Sequence, residues 1–335
     1  MSPTHTTRRI PVNHRRRLLN VGALTLAATL TSPAAWAQAW PAKPIRIIVP
    51  YTPGGSSDII ARAISQPLSE ALKQPVVVEN KPGANGNTGT ELVAKSPADG
   101  YTMVLCDVGA LAITPSVYLK LGFDPSKDLR GVTMLAYSPH LLVVHPSVQA
   151  NNLKELVALS RTSTLNFAVT AMGSAPHLAG VAVEQASGAK WAYIPYKGGS
   201  QAIQDTMGGQ TQVLMNGMLA TLPHVQSGKL KAIGVSRATR VPQLPGVATI
   251  AEQGVAGFES GTWQGVLVPA GTPPEVVSRL STELTRIIKS PEVSALLVAQ
   301  GAEVYTMSPT EMAAFYEKER ARWAKVVAAG NIKID

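Results

Sequence analysis

The stretch Val49-Pro50-Tyr51-Thr52-Pro53-Gly54-Gly55-Ser56-Ser57-Asp58-Ile59-Ile60-Ala61-Arg62 decides the fold. It reads as the end of a strand, a tight loop and the start of a helix. The apolar run at 45–49 has the composition of a buried strand. Pro53-Gly54-Gly55 supplies turn chemistry, because proline presets φ and glycine tolerates positive φ. Ser56 or Ser57 is expected to cap the following helix, and Asp58 suits its first turn. Such a junction aims several backbone N–H groups at one spot, beside the positive end of a helix dipole. That is an anion site made without a cationic side chain. Taken alone, the stretch reads more readily as an ordinary βα turn.

Outward from this junction the pattern alternates. A helix over 57–73 carries Ile60, Ile64, Leu68 and Leu72 as a buried stripe at spacing four, with a kink expected at Pro67. A second strand at 75–80 follows the first at about the length of one right-handed crossover unit. A loop at 81–87, a short helix, a third strand at 101–107 and a helix near 110–119 continue the series. A long strand-like segment near 134–146 starts a second unit, in which helices and strands alternate to 236. The Pro- and Gly-rich stretch 237–261 reads as a connection. A strand at 263–269 and three helices finish the chain. The pattern predicts two α/β domains, one built from both ends of the chain and one from the middle. The ligand loops then sit at strand carboxyl ends facing a cleft.

Two further junctions repeat the first. Val169-Thr170-Ala171-Met172-Gly173-Ser174-Ala175-Pro176-His177 ends a strand in small residues and opens a helix. Thr170, Ser174 and the amides around Gly173 suit a second anion cradle. His177, in the first helical turn, is read equally as a core histidine bonded to the neighbouring loop. Tyr193-Ile194-Pro195-Tyr196-Lys197-Gly198-Gly199-Ser200 is the third junction. Backbone anion sites facing each other across a cleft would hold a dicarboxylate, or one carboxylate and a polar tail. No G-x-S-x-G elbow, phosphate-binding loop or metal-ligand spacing is present.

The first 37 residues read as a secretory signal peptide. They hold Arg8, Arg9, Arg15, Arg16 and Arg17, no acid, an apolar run at 18–30, and Ala35-Trp36-Ala37 as the cleavage pattern. The run is too short to span a bilayer. Arg15-Arg16-Arg17 also fits a loose twin-arginine pattern, with ordinary secretion as the default. The whole chain has 30 basic and 21 acidic residues in 335. Without the leader's five arginines, 25 basic residues remain against 21 acidic ones. That mild balance, with aromatic content of 5%, excludes a nucleic-acid footprint. Cys106 is the only cysteine, so no intramolecular disulfide forms, and a periplasmic location is expected.

The chain resembles the tripartite tricarboxylate transporter substrate-binding family, the Bug-type periplasmic binding proteins, from about Trp40 to its end. The motifs are Trp40-Pro41-Ala42-Lys43-Pro44-Ile45, Pro53-Gly54-Gly55-Ser56-Ser57-Asp58 and Val76-Val77-Val78-Glu79-Asn80-Lys81-Pro82-Gly83-Ala84. Asp99-Gly100-Tyr101-Thr102, Pro176-His177-Leu178-Ala179, Pro195-Tyr196-Lys197-Gly198, Ser227-Gly228-Lys229-Leu230 and Pro269-Ala270-Gly271-Thr272-Pro273 follow in order.

The resemblance implies an α/β, periplasmic-binding-protein-like (type II) fold. Its two domains are expected at 38–138 with 262–335, and at 139–261. It implies no catalysis and no cofactor or metal. The partners it implies are a small organic mono- or dicarboxylate and membrane subunits of a tripartite tricarboxylate transporter, with the chain a monomer. The loops it points to carry Tyr51, Thr52, Gly54, Gly55, Ser56 and Asp58 from one domain. From the other they carry Thr170, Gly173, Ser174, His177, Tyr196 and Lys197. Departures from the family pattern lie at Ala110, Thr114 and Asn216, the last where an acid is frequent. Asp107 stands at a variable strand end. Asp107 and Asn216 together bear on whether an amino group or a second carboxylate is accepted. Asp107 is read equally as a solvated loop carboxylate. A secreted enzyme using the same cleft is the alternative, and an interaction protein with a vestigial cleft is the third reading.

Overall fold

The structure is a computed structural model that describes residues 40–329 apart from 119. The expected leader and its cleavage after Ala37 lie outside the described residues. Every strand and helix described belongs to one compact unit, 43–335.

β1 (Ile45–Val49) leads through the quoted loop into α1 (Ser56–Leu72). β2 (Val76–Asn80), α2 (Asn87–Ala94), β3 (Thr102–Asp107), α3 (Val108–Val117) and the single turn α4 (Pro125–Asp128) follow. The chain then runs through β4 (Leu129–Val144) into α5 (Leu153–Ser160), β5 (Asn166–Val169), α6 (Ala175–Ser187), β6 (Ala192–Pro195) and α7 (Gly199–Met207). β7 (Val213–Gly217), α8 (Met218–Gln226), β8 (Lys231–Val235) and β9 (Gly261–Pro269) come next. α9 (Pro274–Ile288), α10 (Pro291–Ala299), the short β10 (Glu303–Val304) and α11 (Pro309–Ala329) close the chain.

The strands form one sheet in the order β2-β1-β3-β9-β4-β7-β5-β6, with β8 and β10 added on β4. β1 pairs parallel with β2 and β3, and β5 pairs parallel with β6 and β7. Between these two parallel groups β9 and β4 run antiparallel. The sheet is thus two α/β halves joined by two long shared strands. Each half carries its own core. Ile48, Val104, Met134 and Leu267 pack with Val93, Leu111 and Met312 in one. In the other, Phe167 is fully buried, with the Trp191 and Tyr193 rings 4.9 and 5.4 Å away. Along β4, Leu142 and Val144 face one cluster while Leu141 and Val143 face another, the alternation that a strand covered on both sides requires.

The stripe Ile60, Ile64, Leu68 and Leu72 is buried as its spacing predicts, and α1 continues through Pro67 to Leu72. Three expectations change. Gly55, not Ser56 or Ser57, is the N-cap of α1, and no side chain caps it. The strand expected to open a second unit begins earlier, at Leu129, and passes through both halves. β10, which pairs with β4 at Tyr137 and Ala136, is too short to show a period in the sequence. The expected domain limits fall on facing residues of the shared strands, Ser138 opposite Thr262 and Pro139 opposite Gly261.

Candidate functional site

Five parallel strands deliver the chain directly into helices: β1 into α1, β3 into α3, β5 into α6, β6 into α7 and β7 into α8. All five helix starts line one pocket. Its walls are Gly55, Ser56 and Ser57 from α1, Asp107 and Ala110 from α3, Ser174 and Pro176 from α6, Gly199 from α7, and Asn216 and Gly217 from the entry to α8. Tyr51, Asn85, Thr170, Thr262 and Gln264 complete it. The cavity between the walls is narrow, about 50 Å³.

Each helix start contributes partial positive charge and free N–H groups. Ser174 Oγ caps α6 by accepting from His177 N at 3.3 Å, and Asp107 Oδ1 caps α3 by accepting from Gly109 N at 3.0 Å. The N-caps of α1, α7 and α8 are Gly55, Gly198 and Gly217, none with a side-chain cap. No Lys, Arg or His lines the pocket. The arrangement therefore attracts an anion through backbone amides, with Ser56 and Thr170 adding hydroxyl donors, while Ser57 donates its hydroxyl to Gln264 Oε1 at 2.6 Å and Ser174 donates its own to the Ala171 carbonyl at 2.7 Å.

Of the residues singled out from sequence, Tyr51, Gly55, Ser56, Asp107, Thr170, Ser174 and Asn216 line the pocket. The others stand behind it. Asp58 Oδ2 accepts from Gly54 N and Arg62 Nε, both at 2.9 Å, and its Oδ1 accepts from Asn80 Nδ2 at 2.9 Å. Burial pushes the Asp58 pKa up, but the bonds from Arg62, Gly54 and Asn80 outweigh it and hold the carboxyl below its ordinary value. Its carboxylate fixes the loop at Gly54, where φ is +83°, and is turned away from the ligand space. Gly173, at φ +73°, donates its N–H to His177 Nδ1 at 3.1 Å, so that amide holds the loop in shape. Burial lowers the His177 pKa to about 4, and the ring is a neutral brace. Thr52 Oγ1 lies 2.7 Å from Ser200 Oγ, closing one loop on the other. Tyr196 packs into the core beside Ile203 and Val241, and Lys197 is exposed.

Asp107 is 5% exposed, so the reading as a solvated loop carboxylate is corrected. Its Oδ1 also accepts from Trp263 N at 3.0 Å. Burial pushes its pKa up to about 7, with the Trp263, Ala110 and Gly109 amides pulling the other way.

Asn85, Pro176, Thr262 and Gln264 were not singled out. Asn85 sits in the left-handed region at φ +55° within Gly83-Ala84-Asn85-Gly86, a turn signal that marked a loop and no function. Thr262 and Gln264 alternate along β9, and Gln264 faces Asp107 across the sheet. No local motif announces them, because the long middle segment separates β9 from β3 in sequence.

Replacing Asp58 by Ala leaves Gly54 N without its acceptor and strips one bond each from Arg62 and Asn80, which keep their bond to one another and Asn80's to the Tyr51 carbonyl. It is expected to cost about 2 kcal/mol near neutral pH. Because the folded-state pKa is depressed, that contribution is present above the unfolded value and fades as pH falls through the folded one. Melting curves of wild type and Asp58→Ala should therefore converge as pH falls below the ordinary aspartate value; a constant gap would refute the assignment.

Comparison with known proteins gives a consistent set. Residues 60–332 match the family described as "Tripartite tricarboxylate transporter family receptor" (TctC). Protein BugT of Bordetella pertussis is 35% identical over 326 residues, covering 96% of this chain and 100% of the relative. The solved structure of periplasmic binding protein BugD has a TM-score of 0.84 at 32% identity, covering 88% of this chain and all of that one. The structure described as R. palustris Rpa4515 with adipate has a TM-score of 0.85 at 34% identity, again covering 88% of this chain and 100% of that one.

Proposed function

The chain belongs to the tripartite tricarboxylate transporter receptor family, and from that premise we propose that it is a periplasmic receptor that closes two lobes on a small organic carboxylate. It passes this ligand to the membrane subunits of a tripartite tricarboxylate transporter. The observation that carries the reading is the meeting of five helix starts at one pocket that has no basic side chain. A carboxylate suits that geometry, since its two oxygens take several amide and hydroxyl donors at once. A related structure described as holding adipate supports the ligand class. Among the described residues no helix is long and apolar enough to cross a membrane.

The lobes of the proposal are 38–138 with 262–335, and 139–261. Gly55, Ser56 and Ser57 grip the ligand from the first, and Thr170, Ser174 and Gly199 from the second. Contacts to both lobes stabilise the closed form over the open one.

A thermal-shift screen of the chain from residue 38 onward, refolded free of ligand, against mono- and dicarboxylates tests this. A ligand at 100 times its Kd adds about 2.7 kcal/mol of stability. Ser174→Ala, which removes the α6 cap and the hydroxyl bond to the Ala171 carbonyl that shape this loop, is expected to weaken that ligand about tenfold. A refolded protein that no carboxylate stabilises would overturn the reading.

A further inference from the structure

The pocket lining holds both donors and acceptors. The donors are the amides of the helix starts and the Ser56 and Thr170 hydroxyls. The acceptors include Asp107 and Asn85. Asp107 is the only charged side chain among the lining residues. Gly109 N and Trp263 N both donate to its Oδ1, and the Ala110 amide also favours its charged form. Asn85 is 9% exposed, and its Oδ1 is buried without a hydrogen-bond partner. The orientation of that amide is set by its other end, where Nδ2 donates to the Gly173 carbonyl at 3.4 Å. Swapping the two atoms would set oxygen against oxygen. A buried acceptor left unmatched in the empty protein is costly unless a ligand donor meets it.

Resting on the carboxylate-receptor reading, we propose that Asp107 and Asn85 form an acceptor end of the pocket. This end selects carboxylates that carry an ammonium group at their far end and disfavours those that carry a second carboxylate. The physical basis is the sign of the interaction in a site with little water. An ammonium group supplies hydrogens to Asp107 and to Asn85 Oδ1 and neutralises the buried charge. A second carboxylate brings like charge against Asp107 and offers no hydrogen to either acceptor. Nothing on this wall compensates, because no Lys, Arg or His lines it. Thr262 Oγ1, also buried and unpartnered, completes the polar end and serves a ligand of either kind through its hydroxyl.

The test uses ligand pairs that differ only in the far group: succinate against β-alanine, and glutarate against γ-aminobutyrate. Affinities are measured by calorimetry on refolded protein near pH 8, where the amines are charged. The wild type is expected to prefer the amino acid of a pair by at least about tenfold. Asp107→Asn retains an oxygen for the Gly109 and Trp263 amides and remains a good helix cap. It is expected to reduce the preference by about tenfold or invert it, and to strengthen the dicarboxylate. Asn85→Ala, the second variant, is expected to lower the preference without strengthening the dicarboxylate, and it answers the question if Asp107→Asn does not fold.

A wild type that binds dicarboxylates at least as well as their amino partners would overturn this selection and leave the receptor reading intact. The same holds if both variants keep the wild-type ratio. If no carboxylate of any kind binds the refolded wild type, both fall together.

Discussion

Gly198→Val is expected to abolish tight ligand capture, by at least about 100-fold in affinity, while the ligand-free protein melts as the wild type does. Gly198 precedes α7, and a Cβ there would overlap Thr52 Oγ1 and sit 2.8 Å from Thr52 N. Its φ is 175°, extended backbone open to any residue, so the substitution brings no local strain. The three nearest obstacles all belong to Thr52, in the loop that follows β1 and approaches from the other half of the sheet. With the two loops apart, those obstacles to the valine side chain are gone. With them together, where Thr52 also meets Ser200, there is no room for it. If capture requires the closed arrangement, apparent affinity falls by the factor through which closure becomes unfavourable. Calorimetry with the ligand found by the carboxylate screen measures the loss. Small-angle scattering would show that the variant fails to contract on adding that ligand. Gly246→Ala, at a glycine with open space around it, is the control expected to bind normally. Normal binding by Gly198→Val would mean that the Thr52 and Gly198 loops need not meet.

The same pair of loops shows what the sequence discloses and what it withholds. The junctions after β1, β5 and β6 were legible because proline, glycine and small polar residues between an apolar run and a helical stripe have few other meanings. Ser56, Thr170 and Ser174 followed from them. The individual roles did not, because they depend on where a side chain turns. Asp58 and His177 lie in these loops, His177 read equally as a core histidine, and each is hydrogen-bonded to a glycine amide of its loop. A motif records that a loop is built to one shape; it does not separate residues that touch the ligand from those that shape the loop. Asn85, Thr262 and Gln264 depend on topology instead. They reach the pocket because β9 returns beside β3 after the whole middle segment, and periodicity within β9 carries no sign of it.

Asp107→Asn is expected to stabilise the ligand-free protein near pH 8, by up to about 4 kcal/mol, and to have little effect near pH 4. Burial raises the Asp107 pKa from its ordinary 3.8 to about 7, with Trp263, Ala110 and Gly109 amides opposing and Glu319 adding to the rise. The folded protein thus holds this proton more tightly than the unfolded chain does. The associated stability is complete below about pH 4 and is lost as pH rises through about 7. Asparagine has no proton to lose and keeps an acceptor for both amides, so the variant lacks this decline. The groups facing Asp107 do not cancel it. The Tyr51 phenol and the Cys106 thiol are raised by burial and stay neutral over the range. Glu319 on α11 adds to the rise, with Arg322 3.3 Å away on its own helix. Denaturant titrations of both proteins across this range measure the difference. Parallel curves from about pH 5 to 8 would show that Asp107 ionises in the fold without cost. The decline belongs to the empty pocket alone: an ammonium group beside the carboxylate favours its charged form and returns the lost stability. An amino acid should therefore raise the wild-type melting temperature more near pH 8 than near pH 5, a difference that Asp107→Asn removes.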